Sequence, residues 1–266
     1  MTVFPSSPAD LAIVSRLRAA GCVFAEDEAR LLIAAADTPA ELDAMVERRA
    51  VGLPLEHVIG WAEFCGLRVA VDPGVFVPRV RTAFLVQQAL AAAGGLAGPV
   101  VVDLCCGSGA VGAALLAELG RIELHAVDID PAAVRCARRN IGGGGRVHQG
   151  DLYQPLPAGL RGRVDVLVAN APYVPTDAIG LLPAEARIHE ARVALDGGAD
   201  GLDIQRRVVA AASAWLAPGG RLLVETSERQ APYSVQAFTD AGLTARVVAD
   251  EELDATVVVG GRPDAG

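Results

Sequence analysis

The sequence predicts an α/β protein: a mostly parallel sheet of seven strands with helices on both faces, preceded by a small helical domain and a β-hairpin. Three observations support this fold class. From Pro99 onward, short apolar runs alternate with helical patterns. A glycine-rich turn separates the first of these runs from the next helix. Two closely spaced strand patterns, 243–249 and 255–260, end the chain as a hairpin that adds an antiparallel edge.

The amino-acid composition and the net charge limit the classes of protein to which this chain can belong. Hydrophobic residues make up 52% of the 266 residues, which is enough for a sizeable core and argues against bulk disorder. The formal net charge is −9, so the chain as a whole has no electrostatic attraction to nucleic acid or to anionic membranes. No apolar stretch reaches the length of a membrane span. We therefore expect no membrane association and no stable nucleic-acid binding.

The cysteines indicate a reducing compartment. There are five, an odd number, with no Cys-x-x-Cys pair and no histidine spacing that completes a zinc site, so we expect no metal. Residues 1–10 lack the basic and apolar regions of a signal peptide. These features predict a cytoplasmic protein with reduced thiols.

Residues 1–54 are predicted to form an N-terminal helical domain. Ser7 precedes Pro8 as a helix cap, and this helix is expected to run to residue 20. A second helix is predicted over 25–36, where apolar residues share one face. Thr38 and Glu41 form a capping box that opens a third helix, to about residue 50. Such a bundle is either a module for recognising a substrate or a cap that adds stability.

Residues 55–78 are predicted to be a connecting β-hairpin, because aromatic and β-branched residues lie among glycines and prolines. The remaining segment, 79–266, opens with a helix over 81–93 and then alternates strands with helices. The predicted strands are 100–104, 123–127, 146–149, 164–169, 221–225 and the final pair. The predicted helices are 110–119, a helix capped by Asp130 that reaches residue 140, 204–216 and 234–241.

The glycine-rich turn is the first candidate for ligand binding. It runs through Asp103-Leu104-Cys105-Cys106-Gly107-Ser108-Gly109, between the first parallel strand and its helix. Glycines at the positive end of a helix let the backbone approach a ligand closely. The spacing is neither the dinucleotide fingerprint nor a phosphate-binding loop. A tight turn without a ligand is the alternative.

Two acidic residues follow the next strands. Asp128 ends the second parallel strand, where a carboxylate can accept hydrogen bonds from both hydroxyls of a ribose. Asp151 follows the third strand and is placed either to bind the exocyclic amine of a purine or to form a turn. A ligand that contains a nucleoside accounts for the turn and both acids.

The tetrapeptide Asn170-Ala171-Pro172-Tyr173 follows the fourth parallel strand. Pro172 has no N–H, so the chain must leave the sheet there as a shaped loop. Asn170 supplies an amide at the carboxyl end of the strand, where open α/β sheets bind ligands. The side-chain oxygen, a backbone carbonyl and the aromatic ring suit a planar group that carries an NH2. The alternative is a strand end with a surface tyrosine.

Together these motifs resemble the class I S-adenosylmethionine-dependent methyltransferases, with their Rossmann-like sheet. More narrowly, the chain resembles the protein-(glutamine-N5) methyltransferases that modify release factors or a ribosomal protein. The resemblance covers nearly the whole chain. It extends to four further segments: 48–60, 63–66, Phe76-Val77-Pro78-Arg79 with Thr82, and 194–202.

The resemblance implies roles for individual residues. The catalytic residues would be Asn170, Ala171, Pro172 and Tyr173, with the amide of the substrate glutamine held by the Asn170 side chain and the Ala171 carbonyl. The cofactor, S-adenosyl-L-methionine, would be held by Asp103, Cys105, Cys106, Gly107, Ser108, Gly109, Asp128, Ile129, Asp151, Leu152 and Asn170. Residues 79–266 would form the catalytic domain, and the helical domain would help to recognise the protein substrate.

The chain departs from the family pattern at four positions. Ala171 replaces the first proline of Asn-Pro-Pro-Tyr, Cys105 replaces a glycine, Arg81 replaces an acid, and Cys65 replaces an aromatic residue. Two alternatives therefore stay open beside protein glutamine methylation. One is an enzyme that methylates a small molecule or an adenine, and the other is a non-catalytic relative that only binds the cofactor.

Overall fold

The computed structural model describes residues 7–262. Its N-terminal part is built from helices and one small hairpin. The helices are α1 (Pro8–Ala19), α2 (Ala25–Ala35), α3 (Pro39–Ala50) and α4 (Leu55–Ile59). The hairpin pairs β1 (Trp61–Phe64) with β2 (Leu67–Ala70). Ser7 begins α1 with a reciprocal capping box to Asp10, and the Thr38 hydroxyl accepts the Glu41 N–H at the start of α3.

The larger part alternates strands and helices. Its strands are β3 (Val100–Leu104), β4 (Glu123–Asp128), β5 (Gly145–Gln149), β6 (Val164–Ala169), β7 (Leu216–Thr226), β8 (Thr244–Asp250) and β9 (Ala255–Gly261). Its helices are α5 (Thr82–Ala93), α6 (Ala110–Leu119), α7 (Pro131–Ile141), α8 (Ala184–His189), α9 (Asp203–Ala212) and α10 (Ala231–Asp240).

The sheet has the strand order β5-β4-β3-β6-β7-β9-β8. All neighbours from β5 to β7 are parallel, and β9 runs antiparallel to both β7 and β8. The predicted fold class is therefore confirmed, with the inverted strand one position inside the edge. Successive connections from β3 run towards β4 and β5, whereas β6 lies on the other side of β3. Ligands bind at such a switch point, beyond the carboxyl ends of the strands.

Each face of the sheet is covered by helices. On one face, α5, α6 and α7 pack their buried residues against alternate positions such as Val101, Ala126 and Val168. On the other face, α9 and α10 cover the intervening positions, such as Val102 and Leu167. Both faces are buried, which explains why the central strands read as continuous apolar runs rather than alternating ones.

Two elements differ from the sequence prediction. Residues 55–59, which were assigned to the connecting hairpin, form the short helix α4. The helix predicted to run to Leu216 ends at Ala212, because Leu216 begins β7 and pairs with Val164 across a bulge in the sheet. Trp215 and Leu216 fit the apolar period of the helix, but both are buried against the sheet instead.

Some predictions fall outside the described residues. Residues 1–6 and 263–266, at the ends of the two predicted domains, lie beyond them, as does most of the segment used to argue against a signal peptide. Within 7–262, no helix combines the length and the apolar character needed to cross a bilayer.

A stacked histidine pair near the sheet edge predicts a pH effect on stability. Nδ1 of the buried His125 lies 2.9 Å from Nε2 of His148, with the rings parallel to within 4°. Burial lowers the pKa of both rings, and the surrounding charges are those of Glu123, Arg138, Arg146 and Arg163. Since the unfolded state binds these protons more readily, this contribution to stability is complete above pH 6.5 and is lost as the pH falls.

We therefore expect His148→Gln to flatten the rise of unfolding free energy between pH 5 and pH 7. Buried acids such as Asp103, whose pKa is raised, act in the opposite direction, so the informative quantity is the difference in slope between the two proteins. Urea unfolding at several pH values measures it. Equal slopes in variant and wild type would contradict the expectation.

Candidate active site

A cavity of about 430 Å³ opens at the switch point, beyond the carboxyl ends of β3 and β6. This volume lies in the range of ligand pockets. The glycine-rich turn and the Asn170 loop line the same cavity, as do Asp128 at the end of β4 and Asp151 after β5. The predicted site residues on its wall are Asp103, Cys105, Cys106, Gly107, Ser108, Asp128, Ile129, Asp151, Leu152, Asn170, Ala171, Pro172 and Tyr173.

Gly109 is the predicted residue that does not line the cavity. It caps the start of α6, and a β-carbon there would lie 2.9 Å from the β-carbon of Ala137 on α7. The glycine therefore allows two helices to pack closely behind the turn. Gly109 therefore contributes to the packing of the turn and does not form part of the cavity wall.

The turn itself is held by backbone hydrogen bonds. The Cys106 N–H donates to the Val127 carbonyl at 3.0 Å, and the Gly109 N–H donates to the Cys106 carbonyl at 2.8 Å. Cys105 adopts a left-handed conformation with φ of 56°, at the position where the pattern that the sequence resembles has glycine. Its side chain packs against the apolar core, and burial raises the pKa of its thiol. Cys105 is thus a packed hydrophobe, not a reactive thiolate.

Asp128 joins the turn to the end of β4. Its Oδ2 accepts the Gly107 N–H at 2.8 Å and its Oδ1 accepts the Asp130 N–H at 2.9 Å. Each carboxylate oxygen keeps a further lone pair, which suits a ligand with two adjacent hydroxyls. Burial raises the pKa of Asp128 against the opposing effect of these backbone donors.

Asp103 lies deeper than the other acids. It is 2% exposed, and its Oδ2 accepts the Gly112 N–H at 3.0 Å. Burial, with a smaller contribution from Asp128, raises its pKa to about 7. A cationic ligand in the cavity would favour the charged form of this carboxyl and lower that pKa.

The side of the cavity that is predicted to bind the purine base of the ligand combines apolar and charged groups. Leu152 is buried and left-handed, with φ of 49°, whereas Ile129 is 51% exposed beside the cavity. Asp151 Oδ2 accepts from Arg207 Nη2 of α9 at 2.5 Å. This ion pair uses one oxygen of Asp151 and fixes the direction of the carboxylate.

At the acceptor end, the orientation of the Asn170 amide is set by Thr82. Asn170 Nδ2 donates to Thr82 Oγ1, at the start of α5, over 3.2 Å. Because the amide nitrogen of Asn170 donates to Thr82 of α5, the amide oxygen is left to accept a hydrogen bond in the cavity. The role predicted for Asn170 as an acceptor of the substrate amide stays a prediction.

Tyr173 is held by a charged pair. Its hydroxyl accepts from Arg81 Nε and Nη2 at 3.1 and 2.8 Å and donates to Glu225 Oε1 at 3.3 Å. Burial and the Glu225 charge raise the pKa of Tyr173 to about 12, so it stays neutral. Arg81, one of the four departures from the pattern that the sequence resembles, therefore lies within the acceptor end of the site.

The segment 194–202 supports the loop that begins at Asn170, which we call the acceptor loop, through backbone hydrogen bonds. The Val174 N–H donates to the Leu195 carbonyl at 3.1 Å, and the Gly197 N–H donates back to the Val174 carbonyl at 2.9 Å. Gln230 Nε2 donates to the Tyr173 carbonyl at 2.9 Å. A β-carbon at Gly197 would lie 2.6 Å from the Pro172 carbonyl oxygen, so glycine is needed for this close approach.

If the chain catalyses the methyl transfer that its resemblance implies, we expect Gly197→Ala to lower turnover by at least about tenfold, because the new methyl group must push the acceptor loop out of place. The matched control is Gly180→Ala, in the same region of the chain, where an added β-carbon meets no atom within 4 Å. Rates of methyl transfer and melting temperatures of both variants measure the effect. Equal turnover in the two variants would contradict it.

Sequence reasoning missed three of the supporting side chains: Glu225, Arg207 and Gln230. Glu225 lies on β7, Arg207 on α9 and Gln230 in the turn before α10, all after the acceptor loop in the chain, and local pattern gave no signal for Arg207 or Gln230. Glu225 carried the only available hint, since a charged residue at the end of an apolar strand has to find a buried partner.

Comparison with known proteins defines the class. The Methyltransferase small domain family matches residues 66–202. A solved ribosomal protein L11 methylase from Lactobacillus delbrueckii subsp. bulgaricus has the same fold, with a TM-score of 0.53 at 16% identity over 73% of this chain and 84% of that one. With this sheet and the cavity at its switch point, the chain is a class I S-adenosylmethionine-dependent methyltransferase.

Sequence relatives narrow the assignment further. The release factor glutamine methyltransferase of Geobacter sulfurreducens is 39% identical over 84% of this chain and 79% of its own. The 4-amino-L-phenylalanine/4-methylamino-L-phenylalanine methyltransferase of Streptomyces pristinaespiralis is 37% identical over 70% of this chain and 65% of its own. The chain belongs to the release factor glutamine methyltransferase family.

Proposed function

We propose that this methyltransferase modifies the side-chain amide nitrogen, N5, of a glutamine in a peptide chain release factor. The observation that carries the proposal is the oriented amide of Asn170, whose nitrogen is bound to Thr82 and whose oxygen is left to accept. We place the reaction in the cytosol, where release factors act on ribosomes.

The cavity suits the cofactor at two points. The carboxylate of Asp128 offers two oxygens to the ribose hydroxyls, and Leu152 with Ile129 offers apolar surface to the adenine. We assign the methionine part to the turn from Asp103 to Ser108. When bound, the cofactor supplies an electrophilic methyl group on a sulfonium.

The residues of the acceptor loop would then orient the amide nitrogen of the substrate glutamine, which is a poor nucleophile. The lone pair of an amide nitrogen is delocalised, so the amide must be held in a fixed orientation to react. Asn170 Oδ1 and the Ala171 carbonyl would accept its two N–H bonds, while Tyr173 packs on its plane. Positioning of this kind supplies ~7–11 kcal/mol in favourable cases. The displaced proton leaves the nitrogen after transfer.

We assign recognition of the protein substrate to the N-terminal helical domain, residues 1–54. Its helix α3 reaches the wall of the cavity, because Arg49 Nη1 lies 2.7 Å from Glu185 Oε1 on α8. Glu185 lines the cavity. A protein bound to the bundle is thereby placed next to the acceptor site.

A methyl-labelling experiment tests the proposal. The purified enzyme is incubated with S-adenosylmethionine carrying a labelled methyl group and, separately, with release factors, ribosomal proteins or a protein-free extract. We expect label in a release factor, on a glutamine identified by peptide mass spectrometry. Asn170→Ala serves as the inactive control. Label confined to the protein-free extract would overturn the proposal.

The second candidate is N-methylation of a small molecule. Two departures from the family pattern favour it: Ala171 in place of proline and Arg81 in place of an acid, both on the cavity wall. A cation there could pair with the carboxylate of a free amino acid. The protein-free arm of the same experiment detects this activity. Adenine methylation is disfavoured by the net charge of −9.

A further inference from the structure

An ion pair lies on the cavity wall at the end assigned to the purine base. Arg207 Nη2, on α9, donates to Asp151 Oδ2, in the loop after β5, over 2.5 Å. Both residues line the cavity, and so does Ile204, which precedes Arg207 by one turn of α9. The face of α9 that carries residues 204 and 207 therefore belongs to the same wall as the loop after β5.

The side chain of Asp151 does not form the turn in which it lies. The turn is closed by the backbone, because the Gln154 N–H donates to the Asp151 carbonyl at 3.0 Å. Between residues 7 and 262, no backbone N–H donates to the Asp151 carboxylate; its donors are Arg207 and, at 3.4 Å, Gln154 Nε2, both on Oδ2. An aspartate that forms a turn uses its side chain to accept from the backbone. The turn therefore does not explain why a carboxylate is present.

Stability does not explain the ion pair either. The side chains of Arg207 and Asp151 are 50% and 29% exposed. Ion pairs with this degree of exposure are screened by water and contribute little to the free energy of unfolding. What distinguishes this pair is its position on the wall of the cavity.

The ion pair leaves one oxygen of Asp151 for a ligand. Both side-chain donors bind Oδ2, so Oδ1 keeps its lone pairs. A guanidinium only donates, and Arg207 therefore always holds an oxygen of the residue opposite it. Held in this way, the carboxylate presents an acceptor to a group that carries hydrogen, such as the exocyclic amine of a purine.

We infer that Arg207 is a positioning residue for the cofactor and that, together with Asp151, it makes the site select adenine. Arg207 binds Oδ2 of Asp151 and directs Oδ1 at the amine on C6 of the base. A purine with a carbonyl at C6 places a second acceptor against Oδ1 and binds less tightly. The inference rests on the adenine position given in the proposed function, and not on the identity of the methyl acceptor.

Two ligands that differ at C6 of the base provide the test. S-adenosylhomocysteine carries an amine there, and S-inosylhomocysteine carries a carbonyl. Calorimetric titration of the full chain with each ligand gives two dissociation constants. We expect wild type to bind the adenine form about 10- to 100-fold more tightly, the effect of one hydrogen bond to a charged group. Arg207→Met frees the carboxylate to rotate, and we expect it to lower this ratio at least about fivefold.

Arg206→Met is the matched control. Arg206 is the neighbour of Arg207 on α9 and also pairs with an aspartate, Asp200, but it does not line the cavity. We expect its ratio of dissociation constants to stay within about twofold of wild type. Arg207→Lys keeps a donor for Oδ2 and is expected to retain most of the preference. A wild type that binds both ligands equally, or equal ratios in Arg207→Met and Arg206→Met, would overturn the inference.

Asp151→Asn is expected to reverse the preference. Arg207 takes the amide oxygen of the new side chain and turns its NH2 towards the base, so we expect the inosine form to bind at least about fivefold more tightly than the adenine form. Adding Arg207→Met frees the amide to turn, and the two dissociation constants then lie within about twofold of each other. A preference for adenine that survives in Asp151→Asn would overturn the inference. These titrations need no methyl acceptor, so failure to methylate a release factor would refute the proposed function alone.

Discussion

Asn170→Ala is expected to lower methyl transfer at least about 100-fold while the cofactor affinity stays within about tenfold of wild type. The amide oxygen of Asn170 would be one of the two acceptors that orient the substrate nitrogen, and loss of such an oriented contact acts mainly on the transition state. For the cofactor, roughly one hydrogen bond is at stake. Initial rates with saturating substrates, together with calorimetric titration of the cofactor, measure the two quantities.

A surface amide provides the control for this variant. Gln236→Ala removes an exposed side chain that bonds to Asp240 on the same face of α10, so we expect wild-type rates. Undiminished turnover in Asn170→Ala would mean that the acceptor is held elsewhere in the cavity. A large loss of cofactor affinity would instead place Asn170 at the cofactor.

Arg49→Met is expected to lower the free energy of unfolding by about 3–5 kcal/mol, the range found when one partner of a buried ion pair is removed. Arg49 is 7% exposed and binds both oxygens of Glu28, which is 9% exposed. The variant leaves the Glu28 carboxylate buried without its partner. Urea denaturation followed by circular dichroism measures the loss.

The double variant Arg49→Met with Glu28→Leu separates the two causes of this loss. With no charge left to desolvate, we expect most of the stability to return. If the double variant is as unstable as the single one, the bonds from Arg49 to the Leu53 carbonyl and to Glu185, rather than the ion pair with Glu28, hold the bundle together. The exposed pair Arg139–Asp72 is the comparison, and we expect a change of less than about 1 kcal/mol for Arg139→Met.

The sequence predicted the centre of the sheet best. The bounds of β3 and β6 agree with prediction at both ends, because strands buried on both faces read as unbroken apolar runs between polar or glycine residues. Prediction failed at Leu216, where the local pattern continues a helix but the chain pairs with Val164 instead. Whether Leu216 belongs to a helix or to a strand is decided by its pairing with the neighbouring strand, which the local sequence does not indicate.

The residues of the candidate site likewise divide into those that the sequence could predict and those that it could not. Residues at or just after the ends of strands, such as Asp128 and Asn170, could be assigned to one edge from the order of the strands alone. The bonds from Asn170 to Thr82 and from Tyr173 to Glu225 could not, since they join the loop after β6 to two separate elements, α5 and β7. Which residues support a catalytic loop is fixed by packing in three dimensions. The roles assigned to the site residues stay predictions that the variants above test.

The bracing of the acceptor loop has a consequence for synthesis on the ribosome. The turn and acids assigned to the cofactor are complete once the chain has emerged to about Leu152, and β3, β4 and β5 are neighbours in the sheet. The acceptor loop needs Gly197, Glu225 and Gln230 as well. In the order of synthesis, the turn and acids predicted to hold the cofactor therefore precede the residues that support the acceptor loop.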